Sequence, residues 1–303
     1  MSQERLFRQK HPLLTGFFIL GMMLMFFWIG ITFFVVSMGR HAGTTNFLGS
    51  DDDKVGVIEL KGLIAESDKV LAQILEFRQA KSVKAIVVRI DSPGGAVGAS
   101  QEIFAELSRT NKEKPVVASM GSVAASGGYY AAIGAGKIVA SPGTLTGSMG
   151  VIFKFPNLEE IFQKIGYKDE IVKSGKLKDI GSPSRPMSAE ERALLQALLD
   201  EVHDQFIRDI AQSRNLPEEE VRKVADGRIF AGATAKNLGL IDQLGNFNDA
   251  VALAAKLAGL DTETPDLVYP EEDELSFIKM FAEQNAASFI RRITSSNPVL
   301  SFE

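Results

Sequence analysis

The chain of 303 residues contains no cysteine. That absence excludes a thiol nucleophile, a disulfide framework and any Cys-ligated metal, and it is compatible with either side of a bacterial-type membrane. Histidine is almost as scarce, with His11, His41 and His203 making up the three. His11 precedes and His41 follows a long apolar run, while His203 stands beside Asp204 and off the apolar stripe of a predicted helix, where a solvated side chain is expected. A Ser-His-Asp triad and a multi-His metal site therefore lack material. Nucleotide signatures are missing too. Asp91-Ser-Pro-Gly-Gly-Ala-Val-Gly98 follows a strand and opens a helix but lacks the G-x-G-x-x-G spacing, and Gly136-Lys137 is followed by Ile138 rather than Ser or Thr. No cofactor or metal is implied. The formal charge is -5, with a net +3 over residues 1–40 and -8 over the rest, so an acidic main body argues against nucleic acid as a partner.

Apolar residues, by contrast, run long at the N-terminus. Leu13 to Val36 is an uncharged stretch of 24 residues. As a helix it extends ~36 Å, enough to cross a ~30 Å hydrocarbon core. It reads as a transmembrane helix rather than a cleavable signal peptide, because it exceeds the usual h-region and Val36-Ser-Met-Gly39 is a poor cleavage site. Positive residues before it outnumber those after it, which keeps the N-terminus cytoplasmic and sends everything after Arg40 outward. The expected organisation is a cytoplasmic arm (1–12), the span (13–36), a linker (37–53), a main domain (54–260) and a C-terminal extension (261–303) whose Leu275, Phe277, Ile278 and Phe281 suit an amphipathic helix.

From Lys54 the chain alternates between β-branched runs and helical periodicity. Strands are predicted at 54–64, 83–90, 116–120 and 137–140, with weaker candidates at 167–172 and 265–269. Helices are predicted at 67–80, 97–109, just after Ser126, 158–165, 188–213, from Pro217, from Ala233 and at 247–257. This rhythm implies an α/β fold with a mostly parallel sheet covered by helices. Ser188-Ala-Glu-Glu191 is a capping box. The stretch Ser174–Ser188 before it, with two prolines and two glycines, is a surface or active-site loop.

Pro115 to Phe153 carries the chemistry. A strand runs into small residues, and Ser126 opens Gly-Gly-Tyr-Tyr-Ala-Ala, which can turn helical. At such a junction a hydroxyl is thrust outward, small neighbours admit a carbonyl, and the following amide is free to stabilise an oxyanion. Taken alone, the stretch favours an ordinary tightly packed turn. If Ser126 is a nucleophile, the lack of histidine leaves a lysine or a carboxylate as its base, and a lysine serves only when burial favours its neutral form. Lys176 and Lys178 are candidates by loop position.

Five motifs occur in order behind the N-terminal span: VRIDSPGG (88–95), GSVAASGGYY (121–130), SPGTLTGSMGV (141–151), KSGKLKDIGSPSR (173–185) and GRIFAG...GLID (227–242). Together they resemble the short, single-domain form of the bacterial signal peptide peptidase A family. The resemblance spans roughly residues 55–260 and implies a Clp-protease/crotonase-like fold of repeated β-β-α units. It implies Ser126 as nucleophile, Lys178 as general base, with Lys176 at a variable position, and Ser148 as the residue that orients the lysine amine. The amides of Gly127 and of the Gly94-Gly95 turn, Gly95 by preference, match the oxyanion hole. In double-length members serine and lysine lie in different halves, which implies a homo-oligomer with active sites at protomer interfaces.

The expected activity is hydrolysis of apolar peptides, cleaved signal peptides above all, at the outer face of the bacterial cytoplasmic membrane. Rival readings are a Ser-Lys protease of other membrane or misfolded proteins, a crotonase-type acyl-CoA enzyme, and a catalytically silent oligomeric scaffold. Asp179, next to Lys178, would disfavour a neutral lysine unless an extended backbone sends the two side chains to opposite faces.

Overall fold

In the computed structural model, which describes residues 21–30 and 53–271, the chain divides into two units, Met1–Asp51 and Asp52–Glu303. Within the first, residues 21–30 are helical. The remainder of the expected 13–36 span, the arm and nearly all of the linker lie outside the described residues, as does the amphipathic stretch after Glu271. Among the described residues no helix is long and apolar enough to cross a membrane.

The second unit is built on eight strands: β1 (Lys54–Lys61), β2 (Val83–Ser92), β3 (Val116–Ala125), β4 (Lys137–Ala140), β5 (Leu145–Gly147), β6 (Ile229–Ala231), β7 (Gln243–Leu244) and β8 (Asp266–Val268). They join in the order β6-β5-β3-β2-β1-β8, with β4 pairing β3 and β7. Every pairing is parallel except β5 with β6. Helices α1 (Asp68–Gln79), α2 (Val97–Thr110), α3 (Gly127–Ala132), α4 (Glu159–Ile165), α5 (Ala189–Arg214), α6 (Glu218–Val224), α7 (Gly232–Asn237) and α8 (Phe247–Leu257) alternate with them.

The central strands read as continuous β-branched runs because both faces are covered. Val55, Ala85, Val87, Val117 and Val139 pack beneath Ala250, Val251, Ala254 and Ala255 of α8. The neighbouring positions point the other way, as the pleat requires. There Gly56 admits Phe77 of α1 so closely that a Cβ would lie 2.5 Å from the ring. Tyr129 is fully buried and donates its hydroxyl to the Leu240 carbonyl at 2.9 Å.

Two features of β3 position the site. The strand was expected to end at Met120, but it continues to Ala125, because its first half pairs β4 and its second half pairs the three-residue β5. Thr144 and Thr146 donate to the carbonyls of Gly121 and Ala124 at 2.8 and 2.6 Å, and Val123 N donates to Asp91 at 3.0 Å. A three-residue strand held by threonine hydroxyls leaves no periodicity to read. The expected strand at 167–172 does not form: those residues are irregular, and Ile171 and Val172 are exposed, with no strand beside them to satisfy their backbone.

Candidate active site

Ser126 occupies the junction between β3 and α3 with φ 53° and ψ -120°. A non-glycine residue at positive φ costs on the order of 1–3 kcal/mol and persists only where its surroundings over-determine it. Here Ser126 N donates to Gly147 O at 2.8 Å, and Ser126 O accepts from Tyr130 N at 2.9 Å. Among the described residues only Ser126, Ser148 and Asn215 combine a side chain with positive φ, and two of these three share one cavity. Asn215 ends α5, where a left-handed residue is an ordinary helix terminator.

The glycines about Ser126 are required by close approach. Gly94 has φ 104°, and a Cβ there would lie 2.7 Å from Gly127 N and 2.9 Å from Ser126 Cβ. A Cβ on Gly127 would meet Ser100 Oγ at 2.3 Å and Gly95 N at 3.2 Å, and one on Gly95 would meet Ile64 O at 2.1 Å. The turn after β2 is thus pressed against the N-terminus of α3. Gly94 N is engaged with Ser92 Oγ at 3.1 Å. The amides of Gly95 and Gly127 have no partner among the described residues. Two neighbouring unpaired donors beside a serine can hold an oxyanion.

Ser148 follows Gly147, the residue that accepts the Ser126 amide, and its own amide donates to Arg228 O at 2.7 Å. Neither the Ser126 nor the Ser148 hydroxyl is hydrogen-bonded among the described residues. Both open onto a cavity of about 400 Å³ that reaches Asp200 and His203 of α5 and Asp226. His203 is therefore not the solvated residue expected: it lines this cavity, half-buried, and its Nε2 is buried without a partner among the described residues. The apolar stripe of α5 gave no hint of this, because it identifies the face toward the core and not the face toward a cavity. A second pocket of about 80 Å³ adjoins Ser126 and Gly127 and is walled by Val97, Tyr130, Val151 and Phe206.

The base candidates separate by environment. Asp226 is held down at about 2 by hydrogen bonding to the Arg228 guanidinium, which leaves a carboxylate far too weak to take a serine proton. Lys176 is ion-paired to Glu190, which keeps it above the ordinary lysine range and charged. Lys178 is exposed, and its amine has no hydrogen bond or ion pair among the described residues. It is not among the residues that line the cavity at Ser126.

The loop carrying Lys178 is built of turns rather than extended backbone, with Lys178 N donating to Gly175 O, Ile180 N to Leu177 O and Ser182 N to Asp179 O. Asp179 is kept from Lys178 by other partners instead of by strand geometry. Its carboxylate binds Lys173 and receives Arg185 Nε at 3.2 Å, and these bonds, Lys173 first, hold its carboxyl below the usual range. Arg185 also forks onto Glu191 at 2.9 and 2.6 Å, and Glu191 completes the Ser188 capping box of α5.

The family model "Peptidase family S49" matches residues 108–261, and the model "Clp protease" matches residues 56–144. The chain is 42% identical over 255 residues to "Putative protease slr0021" of Synechocystis, covering 84% of this chain and 87% of that protein. It is 31% identical over 271 residues to "Putative signal peptide peptidase SppA" of Enterococcus faecium, covering 84% and 78%. It is also 37% identical over 213 residues to "Serine protease SPPA, chloroplastic" of Arabidopsis thaliana, covering 70% of this chain but only 32% of that longer protein. A mostly parallel α/β sheet, a strained serine at a strand-to-helix turn and these matches agree: the chain belongs to peptidase family S49 and is a serine protease.

Proposed function

We propose that this serine protease is a membrane-tethered endopeptidase whose nucleophile is Ser126 and whose base is Lys178 of a neighbouring protomer. The observation that carries the reading is the strained Ser126 backbone, held beside the two unpaired amides of Gly95 and Gly127. The neutral amine of Lys178 takes the proton from Ser126 Oγ as the oxygen attacks a peptide carbonyl carbon. The oxyanion accepts hydrogen bonds from Gly95 N and Gly127 N, charge-assisted interactions that strengthen as the tetrahedral intermediate forms. Lys178 then protonates the departing amine, and a water deprotonated by the same lysine releases the acyl group. Ser148 Oγ accepts an N–H of the amine and turns its lone pair toward Ser126.

The exposed, unpaired amine of Lys178 supports assembly across protomers, since desolvation between two copies favours the proton-accepting form. Leu194 and Leu198 of α5 are 49% and 45% exposed although they lie on its apolar stripe, as suits a face that a second copy covers. Substrates are apolar peptides with small or apolar side chains beside the scissile bond, which suits the small apolar pocket next to Ser126. Cleaved signal peptides are the natural class, in line with the name of the Enterococcus faecium relative. Leu13–Val36 anchors the chain in the bacterial cytoplasmic membrane with the protease unit outside, and so concentrates enzyme and substrate on one surface.

The test is hydrolysis of an apolar peptide ester by the detergent-solubilised full chain. Ser126→Ala and Lys178→Ala should each lower kcat by about 10³–10⁴, with the oligomer intact. Full activity in either variant overturns the dyad, and a wild type inactive on every peptide favours the silent scaffold.

A further inference from the structure

β8 covers β1 only along Lys54–Gly56, after which its path is stopped by Pro270, which has no N–H to offer a sheet. On its other side β1 is paired with β2 to Lys61, and the same segment then bridges Ile64 to Gly95, with Ile64 N donating to Gly94 O and Ala96 N to Ile64 O. Backbone groups alternate sides along an extended chain. Gly62, at φ 72°, bends the chain after β1; Gly62 N and Ile64 N both bond toward β2, and neither Leu63 nor Ala65 makes a backbone hydrogen bond among the described residues. Val57, Glu59 and Lys61 face the side that β8 leaves uncovered. Beside this edge runs a groove of about 810 Å³, lined by Leu63, Val70 and Tyr269 and also by the charged Glu66, Asp68 and Lys69, with Leu63 72% exposed.

We infer that the open edge from Val57 to Ala65 is a second peptide-binding site, an exosite that takes an extended apolar polypeptide as an added β-strand. A row of unpaired amides and carbonyls is complementary to another backbone in extended form, and the apolar part of the groove, at Leu63, Val70 and Tyr269, accepts that strand's alternate side chains. The substrate itself is the occupant favoured by continuity. Ile64 is bonded directly to the turn that presents the Gly95 amide, so a chain laid on the outer edge lies one strand from the reacting carbonyl, about 5–10 Å away. The chain's own β8 leaves the edge at Val268, and Glu59 is ion-paired to Lys61 at 2.7 Å, so that no unpaired charge on that pair repels an apolar guest. The inference rests on the peptidase reading, and it adds that long substrates bind more tightly than short ones.

The measurement is amide hydrogen exchange on the full-length Ser126→Ala chain, with an acetylated Leu/Ala peptide of ~20 residues and with a ~4-residue analogue. The long peptide should slow exchange across residues 57–65 and the short one should not. In wild-type kinetics, lengthening the peptide should lower KM by about tenfold, and Leu63→Pro, which deletes one outward amide, should abolish that gain. No added protection at residues 57–65, or a KM independent of length while short peptides are still cleaved, overturns the exosite alone. Protection present without peptide, lost on dilution or on removal of residues 272–303, assigns the edge to a second copy or to the chain's own tail and also overturns it. Failure of the wild type to cleave any peptide, short or long, would instead sink the peptidase reading.

Discussion

Ser126 is held at φ 53° only because everything around it is small: a Cβ at Gly94 would press to 2.7 Å on Gly127 N. Gly94→Ala should therefore both strain a left-handed backbone and push the turn off the amides. The expected outcome is a fall in kcat of about 10²–10³, the scale of losing one oxyanion donor, measured as ester hydrolysis alongside circular dichroism of the intact fold. The turn was legible from residue types, since a run of Gly, Ala and Ser between a strand and a short helix permits close packing, and the five ordered motifs singled out Ser126 within it. The positive φ of Ser148 was not, because it arises from Gly147 O and Arg228 O gripping the chain from two sides. Nor was the place of His203, whose neighbours at the cavity come from a loop more than 20 residues away.

Between elements, the joint that positions Lys178 is ionic. Arg185 ties the turn at Asp179 to Glu191 at the start of α5, and Arg185 with the Ser188 amide holds the Glu191 carboxyl at about 2 against an ordinary 4.5. A carboxyl with a depressed folded value contributes stability that is complete above about 4.5 and lost as pH falls toward 2. Thermal melting followed from pH 5 to 2 should show this loss, and Glu191→Gln should remove its share of the slope. A second joint links the end of α5 to β4: Asp242 accepts from Arg214 at 2.8 Å and from Ile138 N at 2.9 Å. Burial raises the Asp242 carboxyl, and these bonds more than offset it, so that it lies below its usual value. Asp242→Ala leaves a nearly buried guanidinium unpaired and should cost about 3 kcal/mol in urea denaturation. The capping box of α5 was visible in Ser188-Ala-Glu-Glu191, whereas the partners of Asp242 are contributed by two separate elements, α5 and β4.

For the whole molecule, a dyad shared between protomers has a distinctive consequence. Ser126→Ala and Lys178→Ala chains, each inactive alone, should regain activity when unfolded together and refolded as a mixture. Random assembly of equal amounts joins an intact serine to an intact lysine at roughly a quarter of sites, which sets the expected rate. No recovery in mixed oligomers confirmed by mass would place both groups in one chain. Leu198→Glu, on the exposed half of α5, should dissociate the proposed assembly on size exclusion and abolish activity together with it.

The sequence by itself determined the alternation of strands and helices, their caps and the turn at Ser126, because each depends on residues within a few positions of one another. The bounds of α8 and β4 coincide with the apolar periods that announced them. Only the tertiary structure decided that β3 runs on to Ala125, that Asp179 turns to Lys173 and Arg185, that the Gly95 and Gly127 amides stand side by side, and that β8 pairs β1 no further than Gly56 among the described residues. Apart from the turn at Asp179, whose partners lie six residues away on either side, these are meetings of segments from about 20 to over 200 residues apart along the chain, set by sheet register and close packing, for which no local pattern of residues is a sign.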